Sequence, residues 1–131
     1  MPSARTLESF VARVEQNAHA QAIEEYYTAG ASTRENGAPP RVGRDNLVQH
    51  EKRVLARARS VGSTCLRPVL VDGDTLVVRW VFEFEWLDGG RTRMEELAYQ
   101  RWGGERIAEV QFFCDPAQRQ PVRDGPTSKE E

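Results

Sequence analysis

Two cysteines in 131 residues, Cys65 and Cys114, are too few and too far apart to staple a fold, and no Cys-x-x-Cys pair offers a zinc site. Both read as small buried apolar side chains. Histidine is as scarce: His19 and His50 stand alone, with no HExxH-like spacing, so no metal is expected. Lysine is almost missing. Of 18 basic residues only Lys52 and Lys129 are lysine, an arginine bias that looks like the codon usage of a GC-rich bacterial genome. No apolar run approaches the roughly 18 residues of a membrane span. The start, MPSARTLESFVARVEQ, lacks the continuous apolar segment of a signal peptide, so a cytoplasmic location is expected. Neither charge sign dominates: 18 basic against 20 acidic residues argues against a nucleic-acid binder that lives on phosphate neutralisation. GxSxG, P-loop and GxGxxG patterns are all missing, so no cofactor is expected.

The chain that remains is one domain long. At this length it buries roughly two thirds of its unfolded surface and needs no staple. Its first half reads as helical. Leu7, Phe10, Val11, Val14 and Ala18 form one apolar stripe, with Thr6 as N-cap and a break near Asn17. A second short helix runs to about Tyr27 and ends at Gly30. Residues 31–36 (ASTREN) suit a short strand, and 37–44 (GAPPRVGR) a loop. Asp45 caps a third helix to about Arg59, with Leu47, Val54, Leu55 and Ala58 as its apolar stripe and Lys52, Arg53, Arg57 and Arg59 as its solvated face.

From residue 61 the period becomes two. Segments 61–71, 75–87, 91–102 and 106–114 are separated by Asp72-Gly73, Gly89-Gly90 and Gly103-Gly104, the pattern of an antiparallel meander. Strands this long must bend or bulge. Three helices followed by a curved antiparallel sheet make an α+β layer fold, a cone with an apolar interior that forms a natural pocket. The domain spans 1–118, and residues 119–131 are a partly disordered tail with little to bury.

The second long strand says most about that interior. Val78, Trp80, Phe82, Phe84 and Trp86 share one face, while Val77, Arg79, Val81, Glu83 and Glu85 share the other, which places the aromatic face inward. Turn length decides what faces it from the next strand. A three-residue loop 88–90 pairs Phe84 with Met94, Phe82 with Glu96, Trp80 with Ala98 and Val78 with Gln100. A two-residue loop sends Leu97 and Tyr99 inward instead. In the first case Glu96 and Gln100 are polar groups in an aromatic cavity, and desolvation raises the Glu96 pKa unless an arginine offsets it. Glu96 is then either a general acid or base or part of a structural pair.

The segment YYTAGASTRENGAPPRVGRDNLVQHEKRVL resembles the helix–strand–loop–helix of nuclear transport factor 2-like proteins, in their SnoaL-like, polyketide-cyclase-like branch. GDTLVVRWVFEFEW and EELAYQRWGGERIAEVQFFCDP resemble its paired strands, and the likeness covers about residues 5–118. It implies the cone-shaped α+β barrel fold, often dimeric, of a superfamily whose members include cyclases, isomerases, dehydratases, epoxide hydrolases and non-catalytic association domains. It also favours the even-numbered face inward: Glu96, Gln100, Val110, Phe112 and Cys114. Its steroid isomerases place a pocket acid at the position matching Ala98, a base matching Asn36 beside Glu35, and a tyrosine matching about Ala12. An amide cannot abstract a proton and a methyl cannot donate a hydrogen bond, so that machinery is missing here.

The expectation is a small-molecule pocket for an apolar or cyclic ligand, with acid–base chemistry of the cyclase or isomerase kind. Glu96 and Glu35 are the catalytic candidates. Tyr26, Asn36, His50 and Gln100 are polar ligand contacts, and Trp80, Phe82 and Phe112 are walls. Of the adjacent Tyr26 and Tyr27, only one can face the cavity. His19 is expected on the surface, and Asp115-Pro116 ends the last strand. The alternative is a non-enzymatic dimeric association domain. A homodimer is expected through the outer sheet face, where Val81, Leu97 and Tyr99 lie among Arg79, Glu83, Glu85 and Arg101.

Overall fold

The computed structural model describes residues 1–123. Helix α1 (Ala4–Glu15) buries Phe10, Val11 and Val14. Its cap is Ser3 rather than Thr6: the Ser3 hydroxyl accepts from the Thr6 amide at 3.1 Å. Asn17, at φ 65°, makes the break in the left-handed region that asparagine tolerates. Helix α2 (His19–Tyr26) stops before the glycine expected to end it, because Tyr27 already pairs with Ile107 as the start of β1 (Tyr27–Glu35). Gly30 therefore lies inside a strand, a case of tertiary pairing overriding a local stop signal.

The expected loop 37–44 holds a two-residue strand, β2 (Arg41–Val42), paired with Thr33 and Ser32. Helix α3 (Arg44–Ala56) is capped at Gly43, whose φ of 99° suits only glycine well, and Asp45 sits in the first turn, where the helix dipole favours it. It ends three residues earlier than expected, since Ala58 already pairs with Trp86.

The meander follows as β3 (Ala58–Asp72), β4 (Thr75–Trp86), β5 (Arg91–Gly103) and β6 (Arg106–Phe113), antiparallel throughout. β1 joins β6 in parallel, so the whole sheet is mixed, in the order β2-β1-β6-β5-β4-β3. It is curved and does not close. The long strands bulge as their length requires: β3 slips register between Leu66 and Leu70, around Pro68, which has no amide to donate, and β5 against β6 between Arg101 and Trp102. The three helices cover the inner face. There Phe10 packs edge-on against Trp102, and the Trp102 Nε1 donates to the buried Gln100 Oε1 at 2.9 Å.

The β4–β5 turn is three residues long, Leu87-Asp88-Gly89, one position earlier than expected. Gly89 takes φ 93°, and Asp88 Oδ1 accepts from the Gly90 amide. The even face does point inward, but the register differs by two residues from the expected one: Phe84 meets Thr92, Phe82 meets Met94, Trp80 meets Glu96, Val78 meets Ala98 and Leu76 meets Gln100.

After β6 the chain makes a 3-10 helix, Pro116–Arg119, started by the Asp115 side chain accepting from the Ala117 amide at 3.0 Å. Residues 119–123 then run along the β4–β5 end of the sheet. Gln118 Oε1 accepts from the Glu95 amide, Val122 exchanges backbone hydrogen bonds with Arg91, and Arg123 pairs with Asp88. Of the tail expected over 119–131, residues 124–131 lie outside the described residues.

Candidate functional site

Between the helices and the even face of the sheet lies a cavity of about 400 Å³. Period-two alternation builds its walls. Trp80 stacks on Phe82 with ring centres 5.4 Å apart, and Phe84 on Trp86 at 4.7 Å. Phe112 from β6, Met94 from β5, and Phe10, Ile23 and Leu47 from the helices add to the apolar lining.

Glu96 enters this lining from β5 and is only 8% exposed. Burial pushes its carboxyl up to about 7. The Arg119 guanidinium works against that shift, and the carboxylates of Glu35 and Glu51 add to it. Arg119 reaches in from the 3-10 helix and bridges two acids unequally. Its Nη1 lies 2.8 Å from Glu35 Oε1, its Nη2 lies 3.8 Å from Glu96 Oε2, and its Nε donates to Cys114 Sγ at 3.4 Å. The hydrogen bond to Glu35 raises the guanidinium's already high pKa further, so it stays charged. Arg119 therefore offsets the desolvation of Glu96 without reversing it. The two outcomes expected for Glu96, a raised pKa or an arginine pair, are both present, and the first prevails.

A second polar group closes the far side. Glu51 Oε2 lies 3.4 Å from His19 Nδ1, and His19 Nε2 lies 2.7 Å from Ser63 Oγ, which donates to Asn17 Oδ1 at 2.8 Å. His19, expected on the surface, is thus buried at the cavity wall, edge-on to Phe82. The left-handed turn at Asn17 carries it inward. His50 also lines the cavity. Burial, helped by Arg41, holds its imidazole below the usual value and so neutral near pH 7.

Of the remaining candidates, Glu35, Gln100, Trp80, Phe82 and Phe112 all line the cavity. Tyr26 does not: its ring packs edge-on against Phe10 in the core, and Tyr27 lines the cavity in its place. Burial first, then Glu51 and Glu96, push the Tyr27 hydroxyl well above its usual range. Asn36 also lies outside the cavity. At φ 51° it turns the chain after β1, its side-chain oxygen accepting from the Cys114 amide and its carbonyl from Gln111. Val110 is core, and Cys114, expected buried, is half-buried. Arg57, assigned to a solvated face, places its guanidinium 5.8 Å from the centre of the Trp86 ring and lines the cavity. The sequence leaves the choice between Tyr26 and Tyr27 open and gives no signal that places His19, Arg57 or Arg119 at the cavity. The change from helix to extended backbone at Tyr27 separates the tyrosines, and nothing in PAQRQP marks Arg119. Among the described residues no three His, Cys, Asp or Glu side chains converge as a metal site.

The pattern of the SnoaL-like domain family matches residues 7–110. No curated protein matches. Among solved structures, the chain is similar to a Mesorhizobium loti protein provisionally assigned as a SnoaL-like polyketide cyclase, at 20% identity and TM-score 0.70, over 86% of this chain and 98% of that one. It is similar to an NTF2-like protein of unknown function from Burkholderia pseudomallei, at 10% identity and TM-score 0.73, over 88% and 92%. A Jannaschia protein, also provisionally a SnoaL-like polyketide cyclase, matches at 14% identity and TM-score 0.70, over 88% and 90%. At these identities the structural likeness establishes the fold alone.

The raised Glu96 carboxyl sets a pH dependence of stability. Its folded pKa of about 7 exceeds the unfolded 4.5, so its contribution is complete below about pH 4.5 and is lost as pH rises through about 7. Glu96→Gln cannot titrate. Between about pH 5 and about pH 8, wild type is expected to lose roughly 2 to 3 kcal/mol of unfolding free energy relative to this variant. Denaturant titrations at several pH values measure it, and a constant difference between the two proteins contradicts it.

Proposed function

The chain belongs to the SnoaL-like domain family, and from that premise we propose that its cavity binds a small cyclic, largely apolar molecule and moves a proton on it. The reaction class is proton transfer at carbon next to a carbonyl, the step that cyclisations and isomerisations share. The observation that carries this reading is Glu96: a buried carboxyl among aromatic walls, near pKa 7, beside an arginine that does not hydrogen-bond it. A group poised there is present in both protonation states at neutral pH, so it can give and regain a proton. Protonated Glu96 donates to the carbonyl oxygen while a second group takes the proton from the neighbouring carbon. The C–H electron pair becomes the new C=C bond, and the carbonyl π pair becomes the O–H bond. Neutral His50 and the carboxylate of Glu35, both on the cavity wall, take the role of the base that accepts that proton. Gln100 and Tyr27 orient the ligand.

2-Tetralone, a flat cyclic ketone, is a suitable probe. The protein is expected to accelerate exchange of its α-protons in D2O above the buffer rate, followed by NMR. Glu96→Gln lowers that acceleration by roughly a hundredfold or more. Exchange at the buffer rate with wild type, while the ketone demonstrably binds, leaves a binding protein without turnover and overturns the catalytic part of the proposal.

The reading includes a homodimer through the outer face of the sheet. Leu97 and Phe113 are each 42% exposed there and Tyr99 is 50%, with Arg79, Arg101 and Glu95 around them. Val81 is buried within the chain and adds nothing to this face. Apolar side chains rimmed by both charge signs suit a two-fold axis. Light scattering at micromolar concentration is expected to give twice 14.9 kDa, and a monomer mass contradicts it. The reading also takes the protein to act in a reducing compartment, the cytoplasm, consistent with its two free thiols.

A further inference from the structure

Arg119 Nη2 is a buried donor with no hydrogen-bond partner among the described residues. The other two nitrogens of the same guanidinium are used, Nη1 on Glu35 and Nε on Cys114 Sγ. Those two bonds fix the plane of the group, so the free nitrogen is held beside Glu96 at the cavity wall and not left to rotate toward water. A buried guanidinium N–H without an acceptor is unfavourable, and the molecule that supplies one recovers the loss.

We infer that the ligand of this cavity is a flat apolar ring system carrying an anionic oxygen, a carboxylate or an enolate, and that Arg119 Nη2 is its anchor. This rests on the pocket reading above and names the chemistry of the molecule that reading requires.

Three further observations favour an oxyanion over a cation. The acids of the cavity are already engaged: Glu35 by Arg119 and Glu51 by His19. Glu96, the one left to receive a cation, is driven toward its neutral form and then offers an O–H donor, next to Nη2, to the same ligand oxygen. Three arginines line the cavity, Arg41, Arg57 and Arg119, and the guanidinium of Arg57 already lies over Trp86 as a cation–π partner. The stacked pairs Trp80–Phe82 and Phe84–Trp86 present extended aromatic surface, which suits a flat ring body. With Nη2 and Glu96 Oε2 3.8 Å apart, one ligand oxygen between them can accept from both, which links the anchor to the proton transfer proposed for Glu96.

Isothermal titration calorimetry with three probes of one ring system tests this: 2-naphthoate, its neutral methyl ester and the cationic 2-naphthylmethylammonium. Wild type is expected to bind naphthoate at least about tenfold tighter than the ester, since a charge-assisted hydrogen bond is roughly twice as strong as a neutral one. The ammonium is expected to bind weakest. Arg119→Gln abolishes the preference for naphthoate over the ester, while Arg5→Gln, the same charge change at an exposed position of α1, preserves it. Equal binding of naphthoate and ester by wild type overturns the anchor and leaves the pocket reading standing. Tightest binding of the ammonium does the same in favour of a cationic ligand. No binding of any probe overturns both. The wild-type comparison stands whether or not Arg119→Gln folds.

Discussion

Hydrogen-bonded pairing of β4 with β5 decides which side chains enter the cavity. With Trp80 opposite Glu96 and Leu76 opposite Gln100, the even-numbered residues of both strands share the inner face. Side chains alternate with a period of two, so a slip of one residue turns Leu97 and Tyr99 inward and exposes Glu96 and Gln100 to solvent. The three-residue turn Leu87-Asp88-Gly89 prevents that slip. It is held by Gly89 in the left-handed region and by the Asp88 carboxylate on the Gly90 amide. The C-terminal segment adds a lock on the same turn: Arg123 pairs with Asp88, and a Cβ at Gly90 would meet Pro121 Cβ at 2.9 Å. The register, the tail and the site are therefore coupled, because the segment that packs on the turn also delivers Arg119.

Electrostatics inside the cavity follow from that geometry. One guanidinium serves two carboxylates, and the short contact goes to Glu35. Glu96 receives the weaker part of the attraction and the full effect of burial among aromatic rings. A well-made Arg119–Glu96 pair would hold Glu96 ionised and make it structural. The longer separation leaves it near neutrality, where a proton can move in either direction.

Much of this was legible in the sequence where periodicity is strong. The alternation from Val78 to Trp86 identifies the inner face, and the Gly-Gly pairs locate the turns. The parity follows from a three-residue turn, although the turn begins at Leu87, which shifts the partners by two. Short-range signals misled where a long-range pairing competed with them. Gly30 and Arg59 fall in or beside strands because β6 and β4 recruit those segments. Tyr26 and Tyr27 exchange roles because the helix gives way to extended backbone between them. His19 looks like a surface residue until the turn at Asn17 aims it at Ser63. Arg119 had no signal at all: it stands in a short polar segment without period, and its partners lie 84 and 23 residues away along the chain, at Glu35 and Glu96.

The site depends on Glu96 being a buried carboxyl that can still take up a proton at neutral pH. Site-resolved NMR of the glutamate side-chain carbonyl carbons, with Glu96→Gln to assign the resonance, measures it directly. A midpoint near 7 is expected for Glu96 in the folded protein. A midpoint at or below the ordinary 4.5 would mean that Arg119 holds the group ionised, and the acid–base role would fall with it.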